Sequence, residues 1–196
     1  MKLISTLGTS PGGIFETYVN LMLGNYDAGG ENAGRVQIQE IYVIRTNDPD
    51  VDFAWKLLKA IFVCCRAEKN GQGQVTLVDI PLNVNDINSR SDFQTFNNAV
   101  KNRINVGDYV DVTGGRKSMS VAAALAALSQ RAHVVNTIIP QEELNRIQGL
   151  VRKLKEKKGE IESLGNKGLT QSTKKECESL GICELVSNKA RTILLI

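Results

Sequence analysis

The sequence predicts an α/β protein built on a doubly wound, mainly parallel sheet, with a small, mostly helical extension after residue 139. Three observations predict it. Short apolar segments recur along the first 139 residues, helical patterns follow most of them, and Gly-, Asn- or Pro-rich turns punctuate the junctions. Strand, turn and helix in repeated succession demand parallel strands joined by helical crossovers.

Leu3 to Leu7 reads as the first strand, stopped by Gly8-Thr9-Ser10-Pro11-Gly12-Gly13. Ile14, Tyr18, Leu21 and Met22 then recur at helical spacing, and Ser10-Pro11 suits a helix entrance. Gly24 to Gly34 reads as a loop. Ile41 to Ile44 is the second strand, and Val51 to Arg66 an amphipathic helix. Val75 to Ile80 is the third strand, followed by a helix over Ser91 to Ile104 that carries Phe93, Phe96, Val100 and Ile104 on one face. Tyr109 to Val112 is the fourth strand, and the Ala-rich stretch Met119 to Ser129 reads as a buried helix. Ala132 to Ile139 is the fifth strand.

After Pro140 the pattern changes. Glu142 to Lys158 reads as a strongly charged helix, Gly159 to Gly168 as a broken stretch, and Thr170 to Leu180 as a short helix. Arg191 to Ile196 reads as a strand that either joins the sheet or forms a hairpin with Cys183 to Val186. The extension is open to three roles: a lid, a dimer element or part of a winged helix.

With 196 residues, 42% of them hydrophobic and 23% charged, the chain falls among ordinary globular proteins. No apolar run is long enough to cross a bilayer, and the N-terminus does not read as a signal peptide, so a cytoplasmic location is expected. The net charge of +3 is too small for a general nucleic-acid binder. The basic stretch Arg152 to Lys175 reads as solvated surface rather than a DNA footprint. Cys64, Cys65, Cys177 and Cys183 contain no CxxC pair and a single histidine accompanies them, so no structural metal is expected. Cys64 and Cys65 read as small buried hydrophobes, and Cys177 with Cys183 as the pair able to bridge in a hyperthermophile.

Two loops carry the chemistry. Gly8 to Gly13 and Thr113-Gly114-Gly115-Arg116-Lys117-Ser118 each follow a strand and precede a helix, where backbone N–H groups and the positive helix end attract anions. Glycine permits close approach, Thr9, Ser10, Thr113 and Ser118 supply hydroxyls, and Arg116 and Lys117 supply charge suited to phosphate. Neither loop fits GxGxxG or the P-loop pattern, so ATP and dinucleotides are not the natural ligands, and no cofactor is expected.

TLGTSPG at the first loop and DVTGGRKSMSVAAALAA at the second resemble the two ligand motifs of CARF domains, the cyclic-oligoadenylate sensors of type III CRISPR systems. The resemblance spans about residues 1 to 139. It implies a Rossmann-like domain that dimerises about a two-fold axis, with the cyclic RNA lying across that axis. Gly8, Thr9, Ser10, Pro11, Gly12, Thr113, Gly114, Gly115, Arg116, Lys117, Ser118 and Met119 fall in the matching motifs. Thr46, Asn47 and Asn83, at the ends of the second and third strands, are weaker candidates for adenine or ribose.

The effector attached to many such proteins, a ribonuclease with an Arg-x4-6-His motif, is not expected. His133 lacks an arginine at that spacing and sits in an apolar strand, where a structural role is expected. A stand-alone chain of this size resembles the CRISPR ring nucleases, which cleave cyclic tetra-adenylate; because the ribose 2′-OH is itself the nucleophile, no metal is expected. Ser10 and Lys117 match their catalytic positions. A non-catalytic sensor, a transcription regulator with a partial winged helix, or a small-molecule enzyme on the same fold are the alternatives.

Overall fold

The computed structural model describes residues 1–30, 33–65, 75–167 and 170–196. Among these residues seven strands form one sheet, in the order β2-β7-β6-β5-β1-β3-β4. They are β1 (Lys2–Thr6), β2 (Tyr26–Asp27), β3 (Glu40–Arg45), β4 (Thr76–Pro81), β5 (Tyr109–Asp111), β6 (His133–Ile138) and β7 (Arg191–Leu194). Every neighbouring pair is parallel except β6 with β7, which is antiparallel. The chain leaves β1 towards β3 and β4, then crosses back to β5 and β6. Strand order therefore reverses beside β1, where open α/β sheets bind ligands.

Both faces of the sheet are covered, as the near-continuous apolar strands require. Leu3, Ile41 and Val43 point to one face and pack with α1 (Gly12–Leu23), α2 (Pro49–Cys64), α5 (Gln141–Leu154), α6 (Lys158–Gly165) and α7 (Gln171–Leu180). Ile4, Ile44, Val110 and Val134 point to the other, under α3 (Arg90–Lys101) and α4 (Lys117–Ser129). Each large aliphatic side chain so buried contributes roughly 1.5–3 kcal/mol. Local chemistry sets the helix starts. Asp48 caps α2 by accepting from the N–H groups of Asp50 and Val51 at 2.8 and 3.3 Å, with Pro49 in the first turn. Ser89 caps α3 through the N–H of Asp92 at 3.0 Å. Buried Ala122, Ala123, Ala126 and Ala127 let α4 lie close to the sheet.

Several expectations are corrected here. The stretch from residue 24 to 34 contains the two-residue strand β2, which pairs with β7, so the terminal strand joins the sheet rather than a hairpin. Cys183 lies instead in a 3₁₀ turn, Ile182–Leu185. The supposedly broken stretch after residue 158 forms α6, whose Ile161 and Leu164 are fully buried against α2. Arg66 and Gly168, named as boundaries above, lie outside the described residues.

The cysteines also depart from expectation. Cys64 is bonded to Cys177, and Cys65 to Cys183. The bridges close separations of 113 and 118 residues and staple α7 and the 3₁₀ turn to the end of α2. Adjacent Cys64 and Cys65 each take a partner from the C-terminal segment, so Cys177 and Cys183 do not pair with each other. Among the described residues no helix is long and apolar enough to cross a membrane.

Candidate functional site

The register Ser5↔Asp111 between β1 and β5 brings the two glycine loops side by side. Their contact is backbone on backbone. A Cβ on Gly8 would lie 2.7 Å from the amide nitrogen of Gly115, and one on Gly114 would strike the Thr6 carbonyl oxygen. Gly115 adopts φ +85°, a region side-chain-bearing residues rarely enter. These positions need glycine for contact and conformation alike.

Asp111, at the end of β5, fixes the second loop. Fully buried, it accepts from Ser5 Oγ at 3.2 Å and from the Thr113 N–H at 2.9 Å. Burial pushes its carboxyl up to about 6 against these hydrogen bonds. Thr113 Oγ1 in turn accepts the Thr137 N–H at 2.7 Å, and Thr6 Oγ1 donates to the Gly114 carbonyl. Both loops are thus locked to the strands beneath them before any ligand arrives.

Over this junction opens a cavity of about 650 Å³. Gly8, Thr9, Ser10 and Gly12 line it from the first loop. Thr113, Gly114, Gly115, Arg116 and Met119 line it from the second, and Thr46 from the end of β3. Arg116 is largely exposed and paired with Asp86 at 2.9 Å, a surface contact worth only about 0–1 kcal/mol, so a phosphate can displace it cheaply.

The remaining candidates lie outside the lining. Pro11 is buried beneath its loop. Lys117 and Ser118 occupy the first turn of α4, Lys117 exposed to solvent. Asn47 and Asn83 face each other, with Asn47 Nδ2 donating to Asn83 Oδ1 at 3.4 Å. His133 packs against the Tyr109 ring at 4.8 Å, with its Nδ1 3.3 Å from the Ile196 carbonyl oxygen.

Sequence reasoning missed two flanks of the cavity. One holds Asp48, Asp50, Asn85 and Asp86 beside Thr46; the other holds Ile138, Ile139, Leu144, Ile147 and Gln148. Glu16 lines it too, although only 4% exposed. Its Oε1 accepts the Ser187 N–H at 2.6 Å, while Oε2 has no partner among the described residues. Burial pushes Glu16 up to about 7; Asp111 and Glu143 add to the rise, while the Ser187 bond and Arg146 oppose it. One signal was available: Glu16 is the sole charged residue of α1.

A mainly parallel sheet whose strand order reverses under two interlocked glycine turns, with a cavity above them, defines an α/β protein of the ligand-binding, doubly wound class. Residues 30–169 match the family described as CRISPR-associated protein NE0113 (Cas_NE0113). The chain is 39% identical over 193 residues to the CRISPR system ring nuclease SSO2081 of Saccharolobus solfataricus, covering 98% of this chain and 97% of that protein. This chain belongs to that family of CRISPR-associated proteins.

Two solved structures align with part of the chain. Can2 from Sulfobacillus thermosulfidooxidans, in complex with cyclic tetra-adenylate, gives a TM-score of 0.43 at 9% identity over 69% of this chain and 31% of that one. Enterococcus italicus Csm6, bound to cyclic hexa-2′-fluoro-hexa-dAMP, gives 0.42 at 12% identity over 71% and 33%.

Proposed function

We propose that this protein is a ring nuclease that binds cyclic tetra-adenylate as a homodimer and cuts it to linear di-adenylate with 2′,3′-cyclic phosphate ends, switching off type III CRISPR signalling. The observation that carries the reading is the meeting of the Ser10 and Gly114-Gly115 loops over one cavity at the strand-order reversal. The name of the 39% identical relative supports the same reaction.

The substrate brings its own nucleophile. A ribose 2′-OH attacks the adjacent phosphorus, the bond from phosphorus to the 5′-oxygen breaks, and the 2′-OH proton is lost as the 5′-oxygen gains one. Two such cuts give two dinucleotides. Nothing in this sequence of bonds requires a metal. The protein must bend the ring into line and meet the charge on the phosphoryl oxygens, and positioning alone supplies up to about 7 kcal/mol or more in favourable cases. Ser10 lines the cavity and would orient the 2′-OH or a non-bridging oxygen. Arg116 and Lys117 would neutralise the phosphate.

Lys117 lies outside its own cavity lining, and a dimer supplies the reason. Val121, Leu125 and Leu128 are 52%, 51% and 50% exposed and continue the α4 face that Lys117 begins, at helical spacing. Burying this stripe against its copy, about a two-fold axis running along α4, pairs the helices in parallel. Both Lys117 residues then come to the cavity end of the dimer, facing one shared ring.

Incubating cyclic tetra-adenylate with the protein in EDTA tests the reading. Linear di-adenylate should accumulate, Ser10→Ala and Lys117→Ala should each slow its formation at least tenfold, and Lys117→Ala should also weaken binding. Binding without cleavage would make the protein a sensor. Wild-type rates in both variants would overturn the residue roles.

A further inference from the structure

The cavity is not uniform, and its asymmetry fits a dinucleotide. A two-fold dimer gives each subunit two of the four nucleotides in the ring, a deduction that rests on the function proposed above. The glycine loops form the centre and offer N–H groups to phosphate. The flank carrying Asp48, Asp50 and Asp86 is acidic, with Asp50 paired to Lys155 and Asp86 to Arg116, and is a poorer seat for phosphate than the glycine loops. The other flank is apolar: Ile138 ends β6, Ile139 follows it, and Leu144 and Ile147 come from α5. An aliphatic flank accepts a flat heterocycle more readily than a charged group. Single-stranded RNA is recognised by splaying its bases out of the stack and reading their edges with hydrogen bonds.

Gln148 and Glu16 line the cavity along with these residues, as does Thr137, whose hydroxyl is already bonded to those of Thr17 and Thr192. Glu16 is the unusual one. Its Oε1 is committed to the Ser187 N–H, and its Oε2 is buried without a partner among the described residues. A buried oxygen left unsatisfied is destabilising, so a cavity-lining carboxyl kept in that state has a partner to gain when the cavity fills. A carboxyl that holds its proton on Oε2 is a donor, and adenine offers acceptors at its ring nitrogens. The ionised carboxylate offers acceptors alone and would repel those same atoms.

We propose that the lobe between β6 and α5 is an adenine-base subsite, in which the protonated Oε2 of Glu16 donates a hydrogen bond to a ring nitrogen of one of the two adenines held by each subunit. The groups that set its protonation come from every element packed around it. Asp111 of β5 and Glu143 of α5 favour the proton, and Arg146 of α5 and the Ser187 N–H oppose it, on top of the burial that holds the carboxyl near 7. A phosphate brought to the adjacent glycine loops would favour it further. Binding should therefore weaken as pH rises through the neutral range.

The test measures binding of uncleavable 2′-deoxy rings by calorimetry from pH 6 to 8.5. Wild-type affinity for the four-adenine ring should fall about thirtyfold across that range, approaching the tenfold per pH unit of one linked proton above pH 7. Glu16→Gln keeps an acceptor for Ser187 and offers an N–H that does not titrate, so its affinity should be flat with pH. Rings carrying 1-, 3- or 7-deazaadenine probe the wild-type chain and need no variant. One of the three should bind at least tenfold more weakly than its parent and lose the pH slope. Equal affinity and equal slope for all three deaza rings overturns the subsite while the ring-binding function stands. Failure of the wild type to bind any ring overturns both.

Discussion

The sheet around β1 and the chain beyond Pro140 build opposite walls of one cavity, and different forces hold them. The first wall stands on strands whose side chains are wholly buried, among them Leu3, Ile4, Ile41 and Ile44, with loops locked by Asp111 and by glycine-to-glycine contact. The second wall is α5, a charged helix that buries only Ile147, Val151 and Leu154. It is held through the 3₁₀ turn: Arg146 donates to the Glu184 carbonyl at 2.7 Å, and Ser187 Oγ donates to Glu143 at 2.8 Å. That turn is itself stapled to α2 by Cys65–Cys183. The difference teaches that one half of the cavity is intrinsic to the sheet, whereas the other half depends on covalent bonds and on a small polar network.

Removing the staples should have the largest effect. Each bridge contributes about 2–4 kcal/mol. Denaturant unfolding of the protein, and of a variant with all four cysteines changed to alanine, under oxidising and reducing conditions should show a large loss of stability in the reduced wild type and in the variant. Equal midpoints would dissolve the contrast between the walls.

Next comes pH. Glu16 and Asp111 have folded-state values of about 7 and about 6, above those of ordinary carboxyls, so the folded chain holds protons that the unfolded chain releases. Stability is thus greatest below about pH 4 as far as these groups are concerned, and is lost as pH rises from there through 6 and 7, by on the order of 3 kcal/mol for Glu16. Glu143 acts oppositely at the acid end, because its hydrogen bond from Arg146 holds it at about 2. Urea midpoints should decline from pH 5 to pH 8, and Glu16→Gln should remove the later part of the decline. A rising wild-type curve would contradict the assigned burial.

Gly114→Ala should cost about 1–3 kcal/mol through its clash with the Thr6 carbonyl and should weaken ring binding tenfold or more while leaving the disulfides formed. Unchanged binding would show that the loop contact is dispensable. The smallest effect belongs to Lys155→Ala, which breaks the exposed 2.7 Å pair with Asp50 between the two regions. A change of about 0–1 kcal/mol is expected in thermal unfolding, and a larger one would mean that surface charge, not the staples, holds the second wall.

The same division governs what the sequence discloses. Strands buried on both faces are continuous apolar runs, and a turn that needs Gly8, Gly114 and Gly115 shows its glycines, so the parallel sheet and both loops are legible directly. Pairing between Cys64 and Cys177 depends on α7 folding back over α2, a contact 113 residues long in sequence that no local pattern encodes. β2 is too short to show alternation, and β7 takes its meaning only from lying beside β6. Leu144, Ile147 and Gln148 look like any amphipathic helix until α5 is placed over the loops. Glu16 alone left a trace, as a carboxylate in an otherwise uncharged helix.

The central claim is that two copies of the paired loops make one cradle for one ring. Native mass spectrometry of the wild-type protein with the 2′-deoxy four-adenine ring measures this directly. Two chains per ring at saturation is the predicted composition, with Leu125→Glu giving monomers that bind the ring far more weakly. One ring on each separate chain, or no ring at all, would contradict the account.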